Sequence, residues 1–250
     1  MKKTSLSVIV PVYNEKQNIE PSVKGIIGAF KDYSDCIEVL FVDDNSPDGT
    51  AEEVNRVSAS IKQVKLIQHG KKEGLGAAHK AGYESALGEY ILCIDADLSQ
   101  SPDDLLKIKN KLDEGYDLVI GSRYMDKGQQ IEKTFLKDFG SRGMNVMCRL
   151  LLGIGLKDCT HTFKGFRKNI FEEFGAKLDQ KGHPTFSVQF AFWVVHSGKR
   201  VVEIPIIFTE RAEGRGSSKI SIKEETIPFL RLVLRLFFTR IFLKLNKYSL

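Results

Sequence analysis

The sequence predicts an α/β fold built on a mostly parallel sheet flanked by helices. Short apolar runs alternate with longer amphipathic stretches through the first half of the chain, and this is the element order of βαβ units. The apolar runs are continuous, as expected for strands that are covered by helices on both faces. Each run also ends in polar residues, at the edge where open parallel sheets bind ligands.

The elements follow in a regular order up to residue 120. Five strands are predicted, at Leu6–Val12, Ile37–Val42, Val64–Gln68, Tyr90–Ile94 and Asp117–Ile120. Helices are predicted between them, at Lys16–Tyr33, Thr50–Ser60, Gly76–Leu87 and from Pro102 onward. Ser101 serves as the N-cap of the last helix and Pro102 lies in its first turn, which is a common way for a helix to begin.

The second half of the chain is less regular. Residues 199–208 are typical of a late strand, residues 209–221 form a polar and basic loop with glycines, and the end of the chain is helical and basic. We therefore predict one domain over residues 1–222 and a basic amphipathic helical tail over residues 223–250.

Composition narrows the class of protein. The chain has 250 residues and a formal net charge of +5, an excess too small to indicate nucleic-acid binding. Its four cysteines form no CxxC pair, which favours free thiols in a reducing compartment. The apolar run near the N-terminus is only about one strand long, so we expect no signal peptide.

Acidic residues follow the predicted strands and point to a ligand site. Asp44 follows the second strand, and Asp95 and Asp97 follow the fourth, separated by one alanine. The first strand–helix turn has no glycine and the chain has no GxxxxGK[ST] motif, which argues against a dinucleotide fold and a P-loop. Two neighbouring carboxylates repel unless a cation lies between them, and carboxylate oxygens suit Mg²⁺ or Mn²⁺.

Six segments occur in an order and spacing that resemble the family 2 glycosyltransferases, most closely the polyprenyl-phosphate branch typified by dolichyl-phosphate mannose synthase. They are VIVPVYNE, FVDDNSPDGT, GLGAAHKAG, IDADLSQSPDDL, GSRY and FTERAEGRGSSK. The resemblance covers about residues 5 to 222. It implies a GT-A catalytic domain, a nucleotide-sugar donor such as a GDP- or UDP-hexose, and Mg²⁺ or Mn²⁺ as cofactor.

The resemblance also implies roles for individual residues. Those around the nucleoside would be Pro11, Tyr13, Glu15 and Asp44, with Asp95 near the ribose. Asp95 and Asp97 would hold the metal and the diphosphate. The acceptor phosphate would be held by Arg123, Lys137 and Ser141, and a closing loop would supply Arg211, Ser218 and Lys219. Asp97, Arg123, Arg211 and Lys219 would carry the catalysis.

The sequence departs from the family pattern at four places, one of which is a closing loop RAEGRGSSK about two residues longer than usual. Ser99 stands where the family often has glutamine, so a third metal ligand is in doubt, although Gln100 follows directly. Lys137 stands where arginine is common, which removes a bidentate phosphate contact. His161 and Thr162 are unusual for their segment, so the choice of sugar and acceptor is expected to differ.

Three functions compete. The first is an inverting transferase that moves mannose or glucose to a polyprenyl phosphate, acting peripherally on the cytoplasmic face of a membrane. The second is a soluble family 2 enzyme that extends a glycan hydroxyl, which would need a general base; Asp158 is the candidate. The third is a nucleotide-sugar-binding module without catalysis, which the paired aspartates and the basic loop argue against.

The apolar tail is interrupted by charge. Its longest uncharged stretch is five residues, 226–230, so a spanning helix is excluded and an interfacial one is favoured. Arg231 and Arg235 share one helical face, whereas Arg240, Lys244 and Lys247 share roughly the opposite one. We therefore expect two short helices with a bend near residues 237–239, lying on an anionic leaflet; a homodimer interface is the alternative.

Overall fold

The computed structural model describes residues 5–126, 128–131, 135–179, 182–209 and 222–247. The strands of these residues are β1 Leu6–Val12, β2 Ile37–Asp43, β3 Val64–Gln68, β4 Tyr90–Cys93, β5 Leu118–Ser122, β6 Gln129–Ile131, β7 Lys164–Arg167, β8 Val201–Pro205 and β9 Ile207–Thr209. The α-helices are α1 Lys16–Ala29, α2 Thr50–Ser58, α3 Leu75–Ser85, α4 Pro102–Asp113, α5 Phe135–Met147, α6 Lys168–Phe174, α7 His183–His196 and α8 Ile222–Lys247.

Seven strands form one mixed sheet in the order β3-β2-β1-β4-β7-β5-β8. All neighbours are parallel except at β7, which runs antiparallel to both β4 and β5. The predicted α/β fold class is therefore confirmed. Because β4 and β5 both run opposite to β7, the carboxyl ends of β1 to β5 all lie at the same edge of the sheet.

The two faces of the sheet are covered by separate apolar layers. Val8 and Val10 of β1 pack with residues of α1, α2 and α4 on one face. Ile9 and Cys93 pack on the other face with residues of α3, α7 and α8. Alternate residues of a strand point to opposite faces, so a continuous apolar strand fills both layers.

Local signals in the sequence account for the helix boundaries. Ser101 caps α4, and its side chain accepts a hydrogen bond of 3.3 Å from the backbone N–H of Asp103, as predicted. Gly82 of α3 lies against β1, where an added Cβ would stand 2.4 Å from a methyl group of Ile9. A glycine is therefore needed for this close approach of helix and sheet.

The C-terminal helix α8 is a single helix from Ile222 to Lys247. The predicted bend near residues 237–239 is therefore wrong. The tail docks on the body through one apolar face, of which Phe229 and Leu236 are almost fully buried. Among the described residues, no helix combines enough length with enough apolar character to traverse a bilayer.

Two arginines on different faces of α8 bond to the body of the protein, so basic residues on two faces do not require two separate helices. Arg235 forms an ion pair with Asp179, and Arg240 donates to the carbonyl oxygens of Leu150 and Leu151, at 3.4 and 2.8 Å. Both side chains thus bond to the body of the protein, and the predicted pair of lipid-facing basic surfaces is not formed by them. The exposed apolar side chains of α8 form a stripe that consists of Ile227, Leu230, Leu234, Phe238, Ile241, Phe242 and Leu245, and the exposed Arg231 lies among them.

Candidate active site

The candidate site lies at the carboxyl edge of the sheet, where β4 ends two residues before Asp95. Asp95 and Asp97 are both partly exposed, while the intervening Ala96 is buried. The turn that follows has Leu98 in the left-handed region at φ +57°. The two acidic side chains therefore leave the core at the edge where the sequence predicts a ligand.

Asp95 is held by two hydrogen-bond donors. The side-chain amide of Gln100 donates to Oδ2 at 2.8 Å, and the Thr162 hydroxyl donates to Oδ1 at 3.3 Å. Gln100 also accepts the backbone N–H of Asp95 at 3.2 Å. Its side chain is thus a clamp on Asp95, a role that sequence reasoning missed because it considered glutamine only as a metal ligand.

Asp97 is oriented by Ser99. Its Oδ1 accepts the backbone N–H of Ser99 at 3.0 Å and the Ser99 hydroxyl at 2.6 Å. Ser99 therefore fixes the carboxylate that the sequence predicts as a metal ligand. This local turn is encoded within three residues, because an aspartate side chain readily accepts the backbone N–H two residues further along the chain.

The two aspartates fit a hard divalent cation. Their carboxylate oxygens are partly accessible and fixed by neighbouring donors, and Mg²⁺ or Mn²⁺ takes such ligands while completing its shell with water and substrate phosphates. Within the described residues, no group of three or more histidine, cysteine, aspartate or glutamate side chains could hold a metal. A cation here would therefore be held by Asp95, Asp97 and oxygens of the donor.

The predicted nucleoside residues lie at the ends of β1 and β2. Pro11 is buried and pairs with Val42 across the two strands. Glu15 is also buried, and it accepts the side-chain amide of Asn18 at 2.6 Å. Tyr13 is partly exposed, and the Lys72 ammonium lies 3.8 Å from the centre of its ring.

Asp44 is committed to the loop between β3 and α3. Its two oxygens accept the backbone N–H groups of Glu73 at 2.7 Å and Gly74 at 2.8 Å, and Oδ1 lies 3.1 Å from Nδ1 of His69. The residue that the resemblance places at the nucleoside thus also fixes a neighbouring loop.

Directly after β5, Arg123 forms a buried ion pair with Asp158. Its Nε and Nη2 donate to the two carboxylate oxygens, each at 2.7 Å, and Nη2 lies 3.4 Å from the hydroxyl of Ser141. Burial opposes ionisation of Asp158, but the attraction of Arg123 outweighs it and lowers the pKa of Asp158 to about 2. Arg123 and Ser141 are therefore neighbours, with an added carboxylate, and their role toward an acceptor phosphate stays a prediction.

Residues 158–163 contact both Arg123, through Asp158, and Asp95, through Thr162. Glu203 accepts the backbone N–H groups of Lys157 at 2.7 Å and Asp158 at 2.8 Å. His161 is buried, with Nδ1 placed 2.9 Å from the carbonyl oxygen of Gly121. Sequence reasoning missed Glu203, which is 45 residues from Asp158 and gives no local signal.

Other predicted site residues lie outside this description. Lys137 belongs to α5, but its side chain is outside the described residues, as are Arg211, Ser218 and Lys219 of the predicted closing loop.

A mixed sheet with paired acids at its carboxyl edge favours a transferase of the nucleotide-sugar type. The chain belongs to Glycosyl transferase family 2, whose sequence profile matches residues 7–175. It is similar to the polyprenol monophosphomannose synthase of Mycolicibacterium smegmatis, with 34% identity over 212 residues that cover 83% of this chain and 78% of the relative. It is also similar to the dolichol-phosphate mannosyltransferase of Pyrococcus furiosus, with 33% identity over 234 residues that cover 92% of this chain and 63% of the relative.

Solved structures support the GT-A fold. A mannosyltransferase from Pyrobaculum calidifontis, in complex with GDP-Man and Mn²⁺, superposes with a TM-score of 0.59 at 20% identity over 86% of this chain and 59% of that chain. Glucosyl-3-phosphoglycerate synthase from Mycobacterium tuberculosis, with Mn²⁺ and UDP, gives a TM-score of 0.65 at 14% identity over 95% of this chain and 80% of that chain. The chain is thus a glycosyltransferase with a GT-A fold.

Proposed function

We propose that this enzyme transfers a hexose, mannose or glucose, from a nucleotide sugar to a polyprenyl phosphate, with inversion at the anomeric carbon. The observation that carries the proposal is the engagement of Asp158 by Arg123 through two bonds of 2.7 Å. Both curated relatives reported above act, by their names, on polyprenol or dolichol phosphate. The GDP-Man and UDP complexes of the fold neighbours support a nucleotide-sugar donor.

The state of Asp158 favours a lipid phosphate over a glycan hydroxyl as the acceptor. A glycan hydroxyl must lose its proton during attack, so it needs a general base whose pKa lies near the working pH. Asp158 is the base candidate from the sequence, but its pKa is about 2 and both its oxygens bond to Arg123. A lipid phosphate is already anionic at neutral pH and needs only to be positioned.

The donor side requires neutralisation of the leaving diphosphate. We assign Asp95 and Asp97 to the divalent cation, Mg²⁺ or Mn²⁺. When bound, that cation supplies a Lewis acid that stabilises the negative charge of the diphosphate. Gln100 and Ser99 keep the two carboxylates in place, so little reorganisation accompanies the reaction.

The acceptor side positions the nucleophile. Arg123, with Nη1 as the nitrogen that meets the phosphate, acts with Ser141 and Lys137 to aim one phosphate oxygen at the anomeric carbon. That oxygen forms the new C–O bond from the face opposite the donor diphosphate. The C–O bond to the diphosphate breaks, and the nucleoside diphosphate leaves with the bonding electrons. Arg211, Ser218 and Lys219 would close over this charge.

The apolar stripe of α8 supports a peripheral location at a membrane surface. Leu234 and Phe238 are 60% and 61% exposed, which is unusual for a helix already docked by its other side. A polyprenyl acceptor is itself confined to the bilayer, so a surface that contacts lipid would bring the site to its substrate. A second copy of the chain is the alternative occupant of this stripe.

A product assay tests the proposal. The purified chain is incubated with Mn²⁺ and a panel of GDP- and UDP-hexoses, with either a polyprenyl phosphate or a glycan as acceptor, and products are identified by mass spectrometry. We expect a hexosyl-phosphoryl lipid. Transfer to the glycan with none to the lipid phosphate would overturn the proposal.

A further inference from the structure

A buried amide on α5 supports the ion pair of Arg123 and Asp158. The side chain of Asn145 is part of a residue that is only 1% exposed, and a buried amide costs stability unless its hydrogen bonds are satisfied. Its nitrogen donates to the carbonyl oxygen of Ser141 and to the hydroxyl of Thr160, each at 3.0 Å. Asn145 therefore joins α5 to the segment that begins at Asp158.

The oxygen of the Asn145 side chain holds the same segment. It accepts the backbone N–H of Thr160 at 3.4 Å and the thiol of Cys159 at 3.3 Å. An amide has two N–H donors and one oxygen with two lone pairs, so the hydrogen-bonding capacity of Asn145 is fully used. An ionised carboxylate has no donor and could not replace it.

Thr160 connects Asn145 to Asp158. Its hydroxyl, which accepts from Asn145, donates to Oδ1 of Asp158 at 3.3 Å. The same carboxylate oxygen accepts Nη2 of Arg123 at 2.7 Å. Thr160 and Asp158 are 3% and 0% exposed, so little water competes for these bonds. This bond series therefore runs from α5 to the guanidinium that the proposed function places against the acceptor phosphate.

We propose that Asn145 is a positioning residue, which sets the orientation of the Arg123 guanidinium toward the acceptor phosphate. It acts through Thr160 and Asp158. The inference rests on the proposed function and deepens it. A guanidinium contacts a phosphate through N–H groups of fixed direction, so a tilt of its plane weakens the contact and misplaces the attacking oxygen.

The bond series leaves the donor side unchanged. The two carboxylates assigned to the cation are oriented by Gln100, which donates to Asp95, and by Ser99, which donates to Asp97. Neither of these bonds involves Asn145. Loss of the bond series should therefore affect the acceptor and not the donor.

Three variants change the bond series in different ways. Thr160→Val breaks it with little change of shape, because valine carries a methyl group in place of the hydroxyl. Thr160→Ser keeps the hydroxyl and is the conservative variant. Asn145→Leu removes the amide itself, and Thr160→Val decides the outcome if Asn145→Leu fails to fold.

Ser7 supplies a matched control at the opposite edge of the sheet. It lies near the start of β1 and is fully buried. Its hydroxyl donates to Oε1 of Glu38 at 2.6 Å and accepts the backbone N–H of Gly88 at 2.8 Å. Ser7→Ala therefore also removes a buried hydroxyl that donates to a carboxylate, and a loss of activity caused only by lower stability should appear there too.

The experiment measures steady-state transfer by the full chain in Mn²⁺, with undecaprenyl phosphate as acceptor and the GDP- or UDP-hexose that serves as donor. Thr160→Val and Asn145→Leu should each lower kcat/KM for the acceptor about 10-fold, as expected when one hydrogen bond in a charged network is lost. They should leave the KM of the donor within about twofold of the wild type, and Thr160→Ser and Ser7→Ala should keep the acceptor kcat/KM within the same limit.

The outcomes separate the two proposals. If Thr160→Val keeps the acceptor kcat/KM, raises the KM of donor and acceptor equally, or loses no more than Ser7→Ala, the positioning role of Asn145 is overturned while the proposed transferase stands. If the wild type transfers no hexose to the lipid phosphate, the proposed function fails and the role of Asn145 fails with it.

Discussion

Arg123 and Asp158 meet in a side-on arrangement in which two parallel N–H groups of the guanidinium, Nε and Nη2, each donate over 2.7 Å to one carboxylate oxygen. The guanidinium also lies 5.1 Å from the ring centre of Tyr124 and 5.7 Å from that of Phe208. The Asp158 side chain is fully buried and that of Arg123 is 10% exposed. Such a pair is strongly coupled, because either charge alone would be buried without compensation.

Asp158→Asn should destabilise the protein by about 3 kcal/mol, since it leaves the Arg123 charge buried and unbalanced. Urea unfolding at neutral pH measures the loss. Asp179→Asn is the control, because Asp179 also pairs with an arginine, Arg235, but at a site where both side chains are about half exposed. There we expect a loss of at most about 1 kcal/mol. Equal losses of unfolding free energy in the two variants would contradict the larger contribution expected of the buried ion pair.

Low pH should remove the stability that the ionised Asp158 gives the wild type over Asp158→Asn. The pKa of Asp158 is lowered from its ordinary value of 3.8 to about 2, where burial opposes the shift and Arg123 drives it. A depressed acid pKa stabilises the fold fully above pH 3.8, and the stabilisation is lost as the pH falls toward 2. The stability difference between wild type and Asp158→Asn should therefore be constant from pH 7 to about 5 and shrink below pH 4. A difference that stays constant down to pH 2.5 would contradict this assignment.

Lys164→Met should stabilise the protein at pH 7 by on the order of 3 kcal/mol. Burial disfavours the ammonium of Lys164 and lowers its pKa from 10.5 to about 8; its Nζ lies 5.9 Å from the ring centre of Phe190. A lysine with a lowered pKa costs stability below pH 8, and this cost disappears as the pH rises toward 10.5. The gain should thus shrink in alkaline urea titrations. Lys62→Met, at an exposed position, should show neither effect. A Lys164→Met variant that is less stable than the wild type would contradict the prediction and indicate that Lys164 pairs with a negative charge.

Asp97→Asn should lower turnover at least about 100-fold, because it weakens the stabilisation of the leaving diphosphate. Transfer rates with saturating donor and Mn²⁺ measure the change, and chelation of the metal should have the same effect on the wild type. Asp103→Asn is a suitable control, since Asp103 is exposed in the first turn of α4. Full turnover after chelation would refute the role of the paired acids.

The double variant Leu234→Ser, Phe238→Ser should bind lipid vesicles about 100-fold more weakly than the wild type, because two large apolar side chains leave the interface. Cosedimentation with phosphatidylcholine vesicles measures this. Leu87→Ser should bind like the wild type. It changes a side chain that is 73% exposed and lies two residues after the end of α3. If the wild type is a dimer that does not bind vesicles, and the double variant is a monomer, a second copy of the chain covers the stripe instead of lipid.

Much of the fold was accessible from the sequence because local rules determine it. β1 to β5 are continuous apolar runs that end in polar turns, and the Ser101–Pro102 pair marks the start of α4. β7 was missed, because its sequence KGFR has no apolar run and becomes a strand only through pairing with β4 and β5. A strand of this kind is a product of tertiary context.

The candidate site follows the same division. Asp95, Asp97 and Arg123 could be found from their positions after strands, whereas Glu203 and Gln100 act through contacts that no short motif encodes. The error at α8 has a similar origin. The helical phase of its basic residues predicts two helices only if every basic side chain faces solvent. Arg240 instead donates to carbonyl oxygens of the π-helix Cys148–Leu152.

The reversed direction of β7 has a consequence for engineering substrate choice. Its first residue, Lys164, is paired with Cys93 of β4 and Ile120 of β5, so residues 158–163 are anchored into the sheet at the catalytic edge itself. A chimera that exchanges only this hexapeptide between relatives would change the residues that contact Asp95 and Arg123, while the strand ladder keeps the backbone in register.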